Sequence, residues 1–296
     1  MNRKSKSTGL LIEDVGGASS SKTLFLLVKA FVGTGVIFLP KAFYAGGLLP
    51  SIVMMAFSAI ISTMAGVFLV NTAAIIPGTY QDMSGTLYGA TFKKLVLTGL
   101  GIGQLCFSMT YILFIAGNVK DLISTVSGCQ TQVGDVSLIV LAELIIFIPM
   151  ILMRNMKSFA MFALAGNVTI ICAITYILYN GFVELGKGKI EPRIVTDFQG
   201  LIMIFNVSIM AYSGIGLLIP IRQAMASPKA MPGLIKLVMI ILFVLFSVVG
   251  GVSSLAYGKS TETIILLNMP NGILLQLLQF GYVFAITVSV PLQVFF

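Results

Sequence analysis

The 296-residue chain contains no histidine and no tryptophan, and it has only three cysteines and ten acidic side chains. Without histidine it lacks the usual side chain for titration near neutral pH and the commonest metal ligand. Any proton chemistry therefore falls to carboxylates. Cys106, Cys129 and Cys172 stand too far apart to form a metal-binding or redox motif, so they read as ordinary small residues. No glycine-rich phosphate loop and no nucleophile with a partner base can be traced, which excludes the common enzyme classes and a bound cofactor. Charge is scarcest of all. Only 9% of residues are charged and 57% are hydrophobic, whereas soluble domains carry about a quarter charged and about half apolar residues.

What is present is a series of long apolar runs. A helix needs about 20 mostly apolar residues to cross a hydrocarbon core roughly 30 Å thick. Residues 22–40, 49–75, 95–119, 136–153, 159–183, 198–221, 232–257 and 272–296 each qualify, which predicts about eight spans of an all-α membrane protein. Strands of a membrane barrel would alternate over about ten residues, and these runs are longer and continuous. Residues 1–21 are polar and rich in serine and glycine, the composition of a disordered tail ahead of a transmembrane domain over 22–296. The net charge of +8 is spread through short loops, so it sets orientation rather than binding nucleic acid. Arg3, Lys4, Lys6 and Lys22, then Lys93 and Lys94, Arg154 and Lys157, and Arg222, Lys229 and Lys236 all fall on one side. By the positive-inside rule that side, and the N-terminus with it, is cytoplasmic.

Two spans carry the same interruption. Gly33-Thr34-Gly35 in the first is followed by Pro40, and Gly214-Ile215-Gly216 in the sixth by Pro220. Broken backbone at membrane depth is tolerated only where protein buries it or a watery cavity receives it. Glycine-interrupted spans in first and sixth position are what a five-plus-five inverted repeat produces, with the substrate held between the breaks. The first turn of a half-helix offers N–H groups to an anion, and the last turn offers carbonyls to a cation. Two facing breaks would hold a zwitterion.

At these residues the chain resembles the amino acid/auxin permease family, and most of all its fungal vacuolar amino acid transporters, related to proton-coupled amino acid transporters. The resemblance rests on the stretch from Leu26 to Phe43, on Gly214-Ile215-Gly216-Leu217-Leu218-Ile219-Pro220-Ile221, on Leu266-Leu267-Asn268 and on Pro291-Leu292-Gln293. It implies an eleven-helix fold whose first ten helices form the inverted repeat, with broken helices 1 and 6. It implies movement of small neutral amino acids coupled to protons across a vacuolar or lysosome-like membrane. Carried over residue by residue, Gly33, Thr34 and Gly35 meet the substrate carboxylate, and the backbone around Tyr212, Ser213, Gly214 and Gly216 its ammonium. The chain ends at Phe296 within what corresponds to the family's eighth helix. The family also has an acid where this chain has Ser213 and another where it has Gln223, and a serine hydroxyl cannot take up and release a proton at physiological pH.

Other residues follow from position. Tyr111, with Thr287 or Ser289, lies in a span and either faces the same cavity or bonds between helices. Glu143 is the acid well inside a span, about 12 Å along its helix from Asp135 at 1.5 Å per residue. An intramembrane carboxylate is costly enough to be a candidate proton carrier, or else a structural, neutralised glutamate. Lys29, one turn before Gly33, is a second coupling candidate: it pairs with a carboxylate or with freed carbonyls of the broken helix, or else its stem snorkels to the surface. The remaining acids, among them Asp82, Asp121 and Asp197, read as solvated loop charges. Three readings stay open on the sequence: a vacuolar-type amino acid transporter, a membrane sensor that binds amino acids without transporting them, and a truncated, non-functional fragment.

Overall fold

The computed structural model describes residues 19–126, 136–152, 156–188, 197–270 and 272–295. Apart from Ser19–Ser21, the expected tail lies outside them, as does Cys129. Among the described residues the chain forms α1 (Ser20–Phe31), α2 (Leu39–Gly46), α3 (Leu48–Ile75), α4 (Tyr80–Val126), α5 (Val136–Leu152), α6 (Met156–Gly186), α7 (Phe198–Ala211), α8 (Leu218–Ala224), α9 (Met231–Tyr257) and α10 (Ile273–Phe295).

Five segments among the described residues are each long and apolar enough to cross a membrane: Leu48–Ile75, Tyr80–Ile123, Val168–Gly186, Phe198–Ala224 and Pro228–Ser260. A sixth is added if Ser20–Phe31 and Gly35–Gly46, bent by 47° at their junction, count as one span. The shorter apolar helices Ser137–Pro149 and Ile273–Thr287 lie in the two remaining hydrophobic runs of the sequence.

Polar side chains set where several helices begin. The Ser19 hydroxyl accepts from the Lys22 N–H at 3.4 Å at the start of α1, and the Asp197 carboxylate accepts from the Gly200 N–H at 2.8 Å at the start of α7. Each satisfies an N–H that the helix itself leaves unpaired. Asp197 is therefore a cap rather than a plain loop charge. Before α4, Thr79 and Asp82 cap each other: the hydroxyl donates to the carboxylate at 2.7 Å and the Asp82 N–H returns to the hydroxyl at 3.3 Å. Gly89, at φ 86° and ψ 177°, then breaks α4 sharply. Across that corner Lys93 pairs with Asp82 at 2.7 Å. The third apolar run thus starts beyond a short capped helix, whose first turn holds Asp82 in place of the expected loop charge, and hydropathy alone places the run at Leu95.

The chain divides into two compact units, one of Met1–Val96 with Tyr176–Asn268 and one of Leu97–Thr175 with Met269–Phe296. In the first, α2 is packed between α7 and α9. Phe43 lies over Gly250, where an added Cβ would stand 2.5 Å from the ring, and the Ala45 carbonyl abuts Gly200. The long α3 covers α7 and α9, and there the buried Ser58 and Ser208 hydroxyls meet at 2.7 Å. In the second unit α10 packs against α5, its Gly281 fits against Thr169 of α6, and it meets α4 through the Phe114 and Tyr282 rings, 5.4 Å apart. Asp121 is corrected from loop charge to helix contact: it sits on α4 and accepts from Gln279 of α10 at 2.9 Å.

Candidate functional site

Both glycine interruptions are breaks in the helical ladder. α1 makes its last backbone link from the Val32 N–H to the Val28 carbonyl at 2.8 Å. Val32 (φ −77°, ψ 94°) and Gly33 (φ −121°, ψ −153°) then run extended before a 3-10 turn over Thr34–Phe38 leads into α2. At the other break Tyr212 caps α7, its N–H shared between the Ser208 and Ile209 carbonyls at 3.2 Å each, and a 3-10 turn over Gly214–Leu217 leads into α8. Pro40 and Pro220 each fall in the first turn of the helix that follows, where a missing N–H costs nothing. This is why proline trails each glycine pair in the sequence.

The two breaks touch, and they do so reciprocally. A Cβ on Gly35 would stand 3.0 Å from Ala211 Cα, at the last residue of α7. A Cβ on Gly214 would stand 2.7 Å from the Phe31 ring and 3.0 Å from the Ala30 carbonyl, at the end of α1. Each starting half-helix is thus laid against the ending half-helix of the other break. The remaining glycine of each pair is different: nothing lies within 4 Å of a Cβ placed on Gly33 or Gly216. One glycine per break permits contact and the other leaves open space beside the backbone.

That arrangement sets N–H donors of a first turn beside carbonyl acceptors of a last turn, once in each direction. Tyr212 is wholly buried, its ring 5.6 Å from that of Phe246 and its hydroxyl without a hydrogen-bond partner among the described residues. Ser213 is exposed. Thr34 opens the first 3-10 turn.

Lys29 sits half-buried in the last turn of α1 and makes no ion pair among the described residues. A cation there complements the negative end of the helix dipole. Tyr111 and Glu143 belong to the second unit. Tyr111 is half-buried on α4, and Glu143 is buried on α5, with neither carboxyl oxygen hydrogen-bonded among the described residues. Thr287 donates to the Val283 carbonyl of its own helix at 2.8 Å. The side chain of Ser289 lies outside the described residues. No group of three or more metal-ligating side chains occurs among those described.

A family model described as "Transmembrane amino acid transporter protein" matches residues 16–296, both breaks included. The chain belongs to this family. Its members are transporters and not enzymes. Vacuolar amino acid transporter 3 of Schizosaccharomyces pombe is 32% identical over 284 residues, which is 96% of this chain and 43% of that protein. Vacuolar amino acid transporter 4 of Saccharomyces cerevisiae is 32% identical over 291 residues, 95% of this chain and 40% of that protein. The proton-coupled amino acid transporter-like protein pathetic of Drosophila melanogaster is 26% identical over 274 residues, 85% of this chain and 57% of that protein. The chain thus spans about two fifths of the length of the two fungal family members.

Proposed function

We propose that this chain carries the substrate-binding part of a vacuolar-type transporter of small neutral amino acids, coupled to protons and lying in a vacuolar or lysosome-like membrane with its N-terminus cytoplasmic. The observation that carries the reading is the reciprocal packing of the two breaks, Gly35 on Ala211 and Gly214 on Phe31. It sets a donor end and an acceptor end side by side, the complement of a carboxylate and an ammonium on one carbon. Gly33, Thr34 and Gly35 supply N–H groups to the carboxylate; the carbonyls around Tyr212, Ser213 and Gly214 receive the ammonium, with Gly216 leaving room beside them. The family membership and the vacuolar relatives support substrate class and membrane. The inverted repeat is supported by the mirrored placement of the breaks and the prolines behind them.

Proton coupling has a candidate in Glu143, since Ser213 stands where the family's acid would be. The test is uptake of radiolabelled neutral amino acids into proteoliposomes holding the 296-residue chain, with and without an imposed pH gradient, beside a Gly33→Leu control, whose side chain enters open space. Gradient-stimulated uptake that the control loses supports the proposal. Binding without flux from a folded chain points instead to a membrane sensor of amino acids, the reading that Ser213 favours. Neither binding nor flux sinks both.

A further inference from the structure

Two parts of the stretches shared with the family are not used by the breaks: Lys41, just after Pro40, and Leu266-Leu267-Asn268. They meet at one loop. After α9 the chain turns at Gly258, whose φ of 50° and ψ of −128° suit a residue without a side chain. The Thr261 N–H and hydroxyl both return to the Gly258 carbonyl, at 3.2 and 2.7 Å. Asn268 then closes the loop on itself, its amide donating to the Ser260 carbonyl at 2.8 Å and its side-chain oxygen accepting from the Glu262 N–H at 2.7 Å. Between these points Ile264, Ile265 and Leu266 are buried, and the 3-10 turn Ile265–Asn268 packs on the 3-10 turn Thr34–Phe38 of the first break. Lys41, on the helix that the first break feeds, donates its ammonium to the Thr261 carbonyl at 2.6 Å.

A short 3-10 turn has poorer hydrogen-bond geometry than an α-helix and does not sustain itself well. The turn after Gly33 needs an outside wall, and Ile265 and Leu266 supply one only while both ends of their loop are fixed. A hydrogen bond from a charged donor is among the stronger ways to fix one. We propose that Lys41 and Asn268 are positioning residues: by pinning the 258–268 loop they hold the Thr34–Phe38 turn in the conformation that presents its backbone to substrate. The proposal rests on reading the breaks as the substrate site, and its first readout does not depend on that reading.

The experiment is hydrogen–deuterium exchange on the full chain in lipid nanodiscs, comparing Lys41→Met, Lys41→Arg and Asn268→Asp with the parent. Lys41→Met should exchange about tenfold faster across 34–38 and 259–268 while α3 and α9 keep their protection, as in local opening. Lys41→Arg, which keeps a charged donor, should restore the parent pattern. Asn268→Asp keeps the acceptor for Glu262 and loses the donor to Ser260, so it should loosen the same two stretches. In parallel, binding of an equimolar mixture of radiolabelled neutral amino acids should weaken about tenfold in Lys41→Met and recover in Lys41→Arg, a loss of about 1.4 kcal/mol. Faster exchange in the loop with 34–38 unchanged overturns the proposal. So does general loss of protection in Lys41→Met if the milder Asn268→Asp shows no local effect. If the parent binds no amino acid yet the exchange pattern appears, the positioning role stands and the substrate reading fails.

Discussion

The four glycines of the two breaks fall into two kinds, and a single added methyl separates them. At Gly35 and Gly214 that methyl meets Ala211 Cα or the Phe31 ring at 3.0 Å or less, so backbone or a packed aromatic must move. Overpacking of this sort costs about 1–3 kcal/mol. Gly35→Ala and Gly214→Ala should therefore lower the melting temperature of the detergent-solubilised chain. At Gly33 the methyl meets nothing and the extended backbone accepts an L residue; the same openness holds at Gly216. Gly33→Ala and Gly216→Ala should melt within a degree or two of the parent and yet bind amino acid more weakly, because the methyl fills the space that a ligand needs. Equal destabilisation by all four would mean that the glycines serve helix packing alone. The sequence displays both Gly-x-Gly pairs but not this division, since what packs on Gly35 lies 176 positions away at Ala211 and spacing carries no sign of it.

At the scale of elements, α2 is held by close backbone approach rather than by large apolar side chains alone. Gly200 of α7 lies against the Ala45 carbonyl and Gly250 of α9 under the Phe43 ring. Small residues at helix contacts serve this purpose in membranes, where lipid gives helices no hydrophobic reason to associate. Gly200→Ala would drive its methyl into the Ala45 backbone and the capping Asp197 carboxylate and should cost about 3 kcal/mol or more, read as lost melting temperature and faster proteolysis, with Gly99→Ala, in open space on α4, as the neutral control. The Ser58–Ser208 contact between α3 and α7 is a second tie. Ser58 donates to Ser208, which in turn donates to the Phe205 carbonyl at 2.8 Å. A double-mutant cycle with Ser58→Ala and Ser208→Ala should give a coupling of about 0.6 kcal/mol, the usual size inside membranes. A coupling near zero would show that each hydroxyl is satisfied by its own helix. These elements were largely legible beforehand: every apolar run lies on a helix or helix pair, because burial in lipid imposes the signal along the whole run. The start of α4 was not, since Thr79, Asp82 and Gly89 act through capping and a positive φ, local chemistry that hydropathy does not weigh. Nor was the loop from Gly258 to Asn268, which is closed by its own Asn268 and Thr261 hydrogen bonds and meets Lys41, more than two hundred residues earlier, through the Thr261 carbonyl.

For the molecule as a whole, the proposed proton coupling needs a group that can take up and release a proton. The chain has no histidine, and the residue beside the second break is Ser213. In the second unit the apolar helix α5 carries Glu143, 7% exposed, with both carboxyl oxygens lacking hydrogen-bond partners among the described residues. A buried carboxylate without a partner costs several kcal/mol, and a neutral amide of the same shape costs less. Glu143→Gln should therefore leave the melting temperature unchanged or raise it. If Glu143 carries the proton, the same variant should lose stimulation of uptake by an imposed pH gradient and keep the exchange of labelled for unlabelled amino acid across equilibrated vesicles, which needs no net proton movement. Retained stimulation would remove Glu143 from the coupling path and leave it a neutralised structural residue. Loss of exchange together with stimulation, at an unchanged melting temperature, would place it in the conformational cycle itself, with proton transfer left to another group.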